Sequence, residues 1–449
     1  MEPVRRRPGT LFETRHCQIE CAESSLVLMS FTYAIFGAGS SAQAARSLAL
    51  AKGIDVVLID EAGEGDRTTF GADDVSDFDS FIFSPGFAAE HPWRALAEAS
   101  GLTCLSEIAF AARYWKGRMI GITGTNGKST LTALLDQALR RARQSSVATG
   151  NIGYPFSEAV LSASNHEEAY AVIEVSSFQA ELSEDLGLDA LLWTNFAEDH
   201  LDRYLTMARY YEAKARLFKC LKKDGICVVG PEVAHWIKSV PNDFDAYTIA
   251  RKDSVRVLGL SSDSVFRSYP YSENFSLALE FWSFLDLPSA PLIEAANAFS
   301  LAPHRLALTA EFAGVRFWDD SKATNFHATL AALESVERPI VWIGGGRAKG
   351  GNVEAFAQKV AGHLAVAVLY GEVGGRLAQA LEDSLDSIHV YTYFEDAVRA
   401  AARLAAAIPH SNVLLSPGFS SFDQFKSYEE RGKSFTDTVL SLKSAVKAP

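Results

Sequence analysis

Short apolar runs alternate along this chain with stretches whose apolar residues recur at helical spacing. Tyr33-Ala34-Ile35-Phe36 reads as a buried strand, followed by the turn Gly37-Ala38-Gly39-Ser40-Ser41 and a helix through Arg46 and Leu50. A second strand, Val56-Val57-Leu58-Ile59, closes on Asp60 and completes a β-α-β unit. Near Trp115 a new segment opens, in which Met119-Ile120-Gly121-Ile122 runs as a strand into a glycine-rich loop. Leu131, Leu134, Leu135, Ala138 and Leu139 then recur at i, i+3, i+4, i+7 and i+8, one buried face of a helix. Alternation continues to about Leu301, and a third such segment runs from His304 to the end. This pattern predicts α/β units with mostly parallel sheets covered by helices.

Two turns in this pattern carry candidate chemistry. Gly124-Thr125-Asn126-Gly127-Lys128-Ser129-Thr130 sits between a strand and an amphipathic helix. There, backbone N–H groups cradle phosphate oxygens, a lysine reaches the terminal phosphates and a serine hydroxyl meets magnesium, so ATP is the expected ligand. In the general G-x-x-x-x-G-K-[ST] pattern the first glycine would fall at position 122, which is Ile122. The Gly37 to Ser41 turn is a partial dinucleotide fingerprint: Gln43 to Ala45 stand where its third glycine belongs. It points to some phosphate-bearing ligand more than to a dinucleotide, and a tight turn without a ligand stays open.

Magnesium needs hard oxygen ligands, and Glu174 closes the apolar strand Ala171-Val172-Ile173. Alone it reads equally as a solvent-facing acid. Glu198-Asp199-His200-Leu201-Asp202-Arg203-Tyr204 follows another apolar strand, Leu191-Leu192-Trp193. His200 is a candidate metal or substrate contact, although a lone histidine is more often a satisfied polar residue.

Bulk properties narrow the class. At 449 residues the chain is about three domains long. Its 48% hydrophobic and 22% charged content is that of a globular protein. A formal charge of −13 offers no broad basic surface, so nucleic acid is not an expected partner. No apolar run approaches the ~18 to 20 residues of a membrane span, and no membrane partner is expected. Cys17, Cys21, Cys104, Cys220 and Cys227 are too few for a disulfide scaffold and fit a reducing cytoplasm. His16, Cys17 and Cys21 lack a second ligand pair, so no zinc is assigned. Residues 1–28 carry Arg5-Arg6-Arg7 but also Glu13, Glu20 and Glu23, which do not suit a transit peptide. They read as an N-terminal extension outside the fold, with Met29 as the functional start.

From Tyr33 almost to the C-terminus the chain resembles the Mur ligases. The resemblance is carried in order by Ser84-Pro85-Gly86, the phosphate loop, Gly150-Asn151-Ile152-Gly153, Glu174 to Gln179, Glu198 to Tyr204, His304-Arg305, Asp320-Ser321-Lys322-Ala323-Thr324-Asn325 and Ser421-Phe422-Asp423-Gln424-Phe425-Lys426. The last two blocks resemble the members that add D-glutamate to UDP-N-acetylmuramoyl-L-alanine in peptidoglycan synthesis. The resemblance implies a Rossmann-like UDP-binding domain at 29–113, a central P-loop ATPase-type α/β domain at 114–303 and a C-terminal Rossmann-like α/β domain at 304–449. It implies that ATP phosphorylates the substrate carboxylate and that the amine of glutamate attacks the acyl phosphate.

Site residues follow by the same resemblance. Lys128, His200 and Lys214 would be catalytic, with Lys214 in Tyr211-Glu212-Ala213-Lys214 carrying a carbamate. Ser129, Glu174, His200 and Lys214 would hold magnesium. Gly124 to Thr130, Asn274, Arg305 and Asp320 would bind ATP, while Gly37, Gly39, Ser40, Ser41 and Asn151 would bind the UDP-sugar. Lys322, Thr324, Lys349, Ser421 and Tyr428 would surround the incoming glutamate, where lysines supply point charges to a dicarboxylate. A monomer is expected, and its domains would close around the ligands to exclude water.

Departures from the family pattern are specific. Pro270-Tyr271 stand where His-Asn is usual ahead of Asn274, and the stretch from Pro231 to Asn274 is short, which suggests a simplified peripheral sheet. Gly418-Phe419-Ser420 replace Ala-Cys-Ala, and Tyr428 replaces a phenylalanine. The alternatives are a ligase of the same fold with L-glutamate or another acceptor, including a folylpolyglutamate synthase, and a nucleotide-binding homologue without catalysis. The intact set Lys128, Glu174, His200 and Lys214 speaks against the latter. A NAD-dependent dehydrogenase rests only on the partial glycine turn.

Overall fold

A computed structural model describes residues 31–184, 186–239, 246–250 and 259–447. The extension 1–28, the expected start at Met29, and Cys17 and Cys21 lie outside the described residues.

Three sheets follow one another along the chain. The first contains β1 (Thr32–Phe36), β2 (Asp55–Ile59), β3 (Ser80–Phe83) and β4 (Thr103–Ser106), all parallel, in the order β2-β1-β3-β4. The second contains β5 (Arg118–Thr123), β6 (Ser146–Gly150), β7 (Tyr170–Glu174), β8 (Leu188–Trp193), β9 (Leu221–Val229) and β10 (Thr248–Ile249). Its order is β10-β9-β8-β5-β7-β6, again parallel throughout. The third contains β11 (Ala307–Phe312), β12 (Val315–Asp319), β13 (Ile340–Gly345), β14 (Val366–Tyr370), β15 (Ile388–Tyr391) and β16 (Asn412–Gly418), ordered β11-β12-β16-β13-β14-β15.

The strands read as continuous apolar runs because helices cover both faces. β7 is buried at every position, and so is β13. Helix Lys128–Arg141 presents Leu131, Leu134, Leu135, Ala138 and Leu139 to the second sheet, all fully buried. Burying each leucine of that face contributes about 1.5 to 3 kcal/mol relative to leaving it in water.

One antiparallel pair breaks the pattern, β11 with β12. Ala313 and Gly314 both take positive φ, 50° and 75°, the two-residue turn whose twist matches a hairpin. The shortened stretch from 231 to 274 holds helix Pro231–Ser239 and the two-residue edge strand β10, while 240–245 and 251–258 fall outside the described residues.

Strand order fixes where a ligand can bind. In the second sheet the chain leaves β5 to build β7 and β6 on one side, then returns to build β8, β9 and β10 on the other. The carboxyl ends of β5, β7 and β8 therefore border the crevice of a topological switch point.

Candidate active site

The phosphate loop begins where β5 ends. Asn126 N–H donates to Asn195 Oδ1 at 2.9 Å, and Thr194 Oγ1 donates to Asn126 O at 2.6 Å, so the segment after β8 braces the loop. Gly127 caps the following helix with φ 84°, and its carbonyl accepts from Asn274 Nδ2 at 3.1 Å. A Cβ there would lie 2.5 Å from Asn274 Oδ1, so both backbone conformation and close approach require glycine.

Two buried lysines converge on this loop. Lys128 Nζ donates to the carbonyls of Gly124 and Thr125, each at 2.9 Å. Lys214, on helix Met207–Lys219, donates to Gly124 O at 2.9 Å and to Thr123 Oγ1 at 3.3 Å. Burial holds the Lys128 amine below the ordinary lysine range, against the attraction of Glu174 and Asp199. Burial and repulsion from Lys128 push Lys214 well below it.

Glu174 faces them from the end of β7. Its Oε1 accepts from Asn151 Nδ2 at 3.0 Å, while Oε2 is buried with no hydrogen-bond partner. His200 takes a left-handed backbone, φ 54°, and packs its ring 4.7 Å from that of Phe178. Burial pulls the imidazole down to about 4, outweighing the neighbouring Asp199 carboxylate. Asp199 moves the other way: burial opposes ionisation, but Lys349 and His200, with hydrogen bonds from Lys349 and Asn325, hold it at about 2. Lys349 Nζ lies 2.6 Å from Asp199 Oδ1, and Asn325 Nδ2 donates to Oδ2 at 3.1 Å.

The third sheet supplies the opposite wall. His304 Nδ1 meets Asp319 Oδ2 at 2.6 Å, which fixes the backbone entering Arg305. Asp320 is buried and accepts from Leu306 N at 3.1 Å and from Ser416 Oγ at 2.8 Å; burial raises its carboxyl to about 7. Lys322 is lowered to about 8 by burial and then by Arg305 and Lys128, and its ammonium sits 4.1 Å from the centre of the Tyr428 ring. Arg431, fully buried, donates to Ser321 O at 2.8 Å and to Phe419 O at 3.2 Å, tying the loop before Lys322 to the end of β16. Asn126 and Asn325 exchange amide hydrogen bonds of 3.1 and 3.0 Å across the gap.

Between these walls lies a cavity of about 340 Å³. Its lining includes Thr125 to Thr130, Asn151, Glu174, His200, Lys214, Asn274, Arg305, Asp320, Lys322, Thr324 and Lys349. Gly124 lies just behind it, its carbonyl shared by the two lysines. Three sets of expected residues stand apart. The turn Gly37 to Ser41 lies at the end of β1, where Gly39 caps helix Ser40–Ala51 without a side-chain bond. Ser421 is buried in the loop after β16, its carbonyl accepting from the amides of Gln424 and Phe425. Tyr428 reaches the site through Lys322 rather than lining the cavity.

Sequence reasoning passed over several lining residues. Asp199 stood inside a block already marked for its charge, and Asn325 closed another, so a signal existed for both. Phe178 lay within the Glu174 to Gln179 block and Tyr271 in the Pro270-Tyr271 departure, whereas Asn195, Tyr210 and His327 carried no signal, because each joins the wall through long-range packing.

The Mur ligase middle domain matches residues 122–274, and the glutamate ligase domain of the Mur ligases matches 304–419. A relative from Trichlorobacter lovleyi, named UDP-N-acetylmuramoylalanine--D-glutamate ligase, is 35% identical over 86% of this chain and 90% of its own length. One of the same name from Gloeothece citriformis is 31% identical over 84% and 88%. In fold the chain is similar to a UDP-N-acetylmuramate-alanine ligase of Thermotoga maritima, with a TM-score of 0.57 at 16% identity over 92% of this chain and 99% of that one. It is also similar to a Mycobacterium tuberculosis folylpolyglutamate synthase, with a TM-score of 0.53 at 18% identity over 74% and 92%. With the phosphate loop, Glu174, Lys214 and the lysines of the third sheet gathered on one cavity, these matches lead to one conclusion: the chain belongs to the Mur ligase family.

Proposed function

We propose that this protein is an ATP-dependent ligase that adds D-glutamate to UDP-N-acetylmuramoyl-L-alanine, a cytoplasmic step of peptidoglycan synthesis. The observation that carries this reading is the identity of 31–35% over most of the chain to relatives bearing that enzyme's name. In this reading the UDP-sugar pyrophosphate sits at the Gly37 to Ser41 turn, with Asn151 as a further contact. ATP lies along Gly124 to Thr130, with Asn274, Arg305 and Asp320 around the nucleoside, and glutamate binds among Lys322, Thr324, Lys349, Ser421 and Tyr428. The protein acts as a monomer, its domains closing over the ligands.

The residues present suit magnesium. Glu174 Oε2 is a buried acceptor without a partner, its carboxylate acts on both Lys128 and Lys214, and Ser129 and His200 line the same cavity. Among the described residues no group of three His, Cys, Asp or Glu side chains is arranged to hold a metal ion. Ser129, Glu174 and His200 would line the metal position, and Lys214, as a carbamate, would add a further oxygen to them. Its buried amine is neutral enough to attack carbon dioxide; the nitrogen loses a proton and the side chain becomes anionic. Bound there, magnesium offsets the repulsion between the substrate carboxylate and the γ-phosphate.

The chain's own groups do the rest by position and charge. Lys128 holds the terminal phosphate, and the neutral His200 imidazole has a lone pair free for a ligand. The glutamate carboxylates face Lys322 and Lys349, which leaves the amine free to displace phosphate from the acyl phosphate.

Phosphate release in the presence of ATP, magnesium, UDP-N-acetylmuramoyl-L-alanine and a panel of amino acids tests the reading. Release with D-glutamate alone is expected. Release with L-glutamate, or with a folate in place of the UDP-sugar, would overturn the substrate assignment, and tight ATP binding without turnover would overturn catalysis. The panel matters because Gly418-Phe419-Ser420 and Tyr428 border the acceptor region.

A further inference from the structure

Glu181 lies outside the cavity, just after the short helix Ser177–Ala180, yet distant parts of the chain meet on it. Its Oε2 accepts from Arg94 Nη1 at 2.5 Å and from Arg203 Nη2 at 2.9 Å. Its Oε1 accepts from Arg203 Nε at 3.2 Å and from the Tyr204 hydroxyl at 2.7 Å. Arg94 belongs to helix Pro92–Ala99 beside the first sheet, whereas Arg203 and Tyr204 stand three and four residues after His200. The three charged side chains are 9%, 4% and 13% exposed for Glu181, Arg94 and Arg203, so they meet largely out of water.

Both guanidinium groups reach beyond the carboxylate to one loop. Arg94 Nη1 and Arg203 Nη2 donate to Phe87 O at 3.1 and 3.2 Å, and Arg203 Nη1 donates to Pro85 O at 3.1 Å. That loop, Ser84 to Phe87, follows β3 and is joined to the start of the Gly37 to Ser41 turn: Ser84 N–H donates to Phe36 O at 3.1 Å, and a Cβ on Gly37 would lie only 2.7 Å from Ser84 Oγ. In the other direction, the Arg203 guanidinium lies 4.2 Å from the centre of the Phe178 ring, and Phe178 packs against His200. An unbroken set of contacts thus runs from Gly37 through Ser84 to Phe87, Arg203 and Phe178 to His200, with Glu181 fixing the arginine in its middle.

We propose that Glu181 is a positioning residue that couples occupancy of the Gly37 to Ser41 turn to the seating of His200 at the metal position. This rests on the functional reading above, in which that turn takes the UDP-sugar and His200 faces magnesium. A carboxylate that only joined two domains would not require its arginines to donate to the Pro85 and Phe87 carbonyls, nor one guanidinium to stack on the Phe178 ring that packs against His200. Without the charge on Glu181, Arg94 keeps its ion pair with Glu98 at 2.8 Å, but the buried Arg203 guanidinium loses its carboxylate and is free to leave the Pro85 and Phe87 carbonyls and the Phe178 ring. Coupling of this kind is reciprocal, so ligand in the first domain must tighten metal binding by the factor by which metal tightens the ligand.

Manganese titrations of the full chain, read by electron paramagnetic resonance with and without UDP-N-acetylmuramoyl-L-alanine, test this. In the unmodified protein the UDP-sugar should lower the half-saturating manganese concentration by roughly fivefold or more. In Glu181→Gln that shift should fall below about twofold, with the KM for ATP little changed and the KM for UDP-sugar raised. Arg203→Lys keeps the charge but cannot hold both carbonyls and the carboxylate together; it should lose the shift as well and serves if Glu181→Gln does not fold. A full shift in either folded variant overturns the proposal, since it would mean that the substrate acts on the metal directly. No shift in an unmodified protein that binds both ligands also overturns it. An unmodified protein that binds no UDP-sugar contradicts the functional reading instead.

Discussion

Lys349 and Asp199 form a 2.6 Å ion pair that joins the third sheet to the segment following β8. Their side chains are 18% and 8% exposed, so the pair is shielded from solvent, and the carboxylate also accepts from Asn325 Nδ2 and from the His200 backbone N–H. Lys349→Met leaves a buried carboxylate with its main counter-charge gone. The expected results are a loss of about 3 kcal/mol in stability and a KM for glutamate raised by more than roughly tenfold, for one lost charge contact, at similar KM for ATP. Calorimetric melting together with initial rates checks both, and an unchanged glutamate KM would remove Lys349 from the acceptor site.

Gly127→Ala forces a side chain into a left-handed conformation and against Asn274 Oδ1, 2.5 Å away. Since the loop can relax only by moving its amides, nucleotide affinity should fall by roughly tenfold or more, the equivalent of about 1 to 3 kcal/mol of local strain. Nucleotide titration by calorimetry measures this, with circular dichroism to show that the sheets persist.

Lys214 should respond to carbon dioxide. Stripping bicarbonate from the buffer is expected to lower the turnover rate, and restoring it to recover activity. Lys214→Arg keeps a cation but has no neutral amine to react, so it should be inactive whatever the bicarbonate concentration. Wild-type turnover that ignores bicarbonate would argue against the carbamate.

Asp320 makes a pH dependence with a definite sign. Its carboxyl rises from 3.8 to about 7 because it is buried. Between those values the folded state keeps the proton that the unfolded chain has released, so the stabilisation is fully present below 3.8 and is lost as pH rises through about 7. Stability should therefore decline with rising pH across that window by up to roughly 1.4 kcal/mol per unit. Asp320→Asn should remove this component of the slope, read by urea unfolding at a series of pH values.

Much of this architecture was legible in the chain because it is written locally. The face of Leu131, Leu134, Leu135, Ala138 and Leu139, the strand before Gly124 and the acid after Ala171-Val172-Ile173 are patterns within a single element. The pairing of Lys349 with Asp199 spans 150 positions, and that of Arg94 with Glu181 spans 87, so neither leaves a mark at short range. Ser421 was singled out by its motif, but the loop folds back through its carbonyl and the residue lies off the cavity wall. The antiparallel hairpin of β11 and β12 turns on Ala313, a residue with no special preference for positive φ, so composition gave little warning of it.

The reciprocal amide pair of Asn126 and Asn325 bears on how fast the molecule can let go. Two neutral groups that part can be rehydrated at once, each lost bond costing about 1 kcal/mol, whereas a clasp made of charges alone would hold its contents longer. The amides are the neutral share of a mixed clasp, since the shielded Lys349–Asp199 ion pair spans the same gap and Asn325 also donates to Asp199. Swapping either asparagine for a charged partner would trade turnover for residence time.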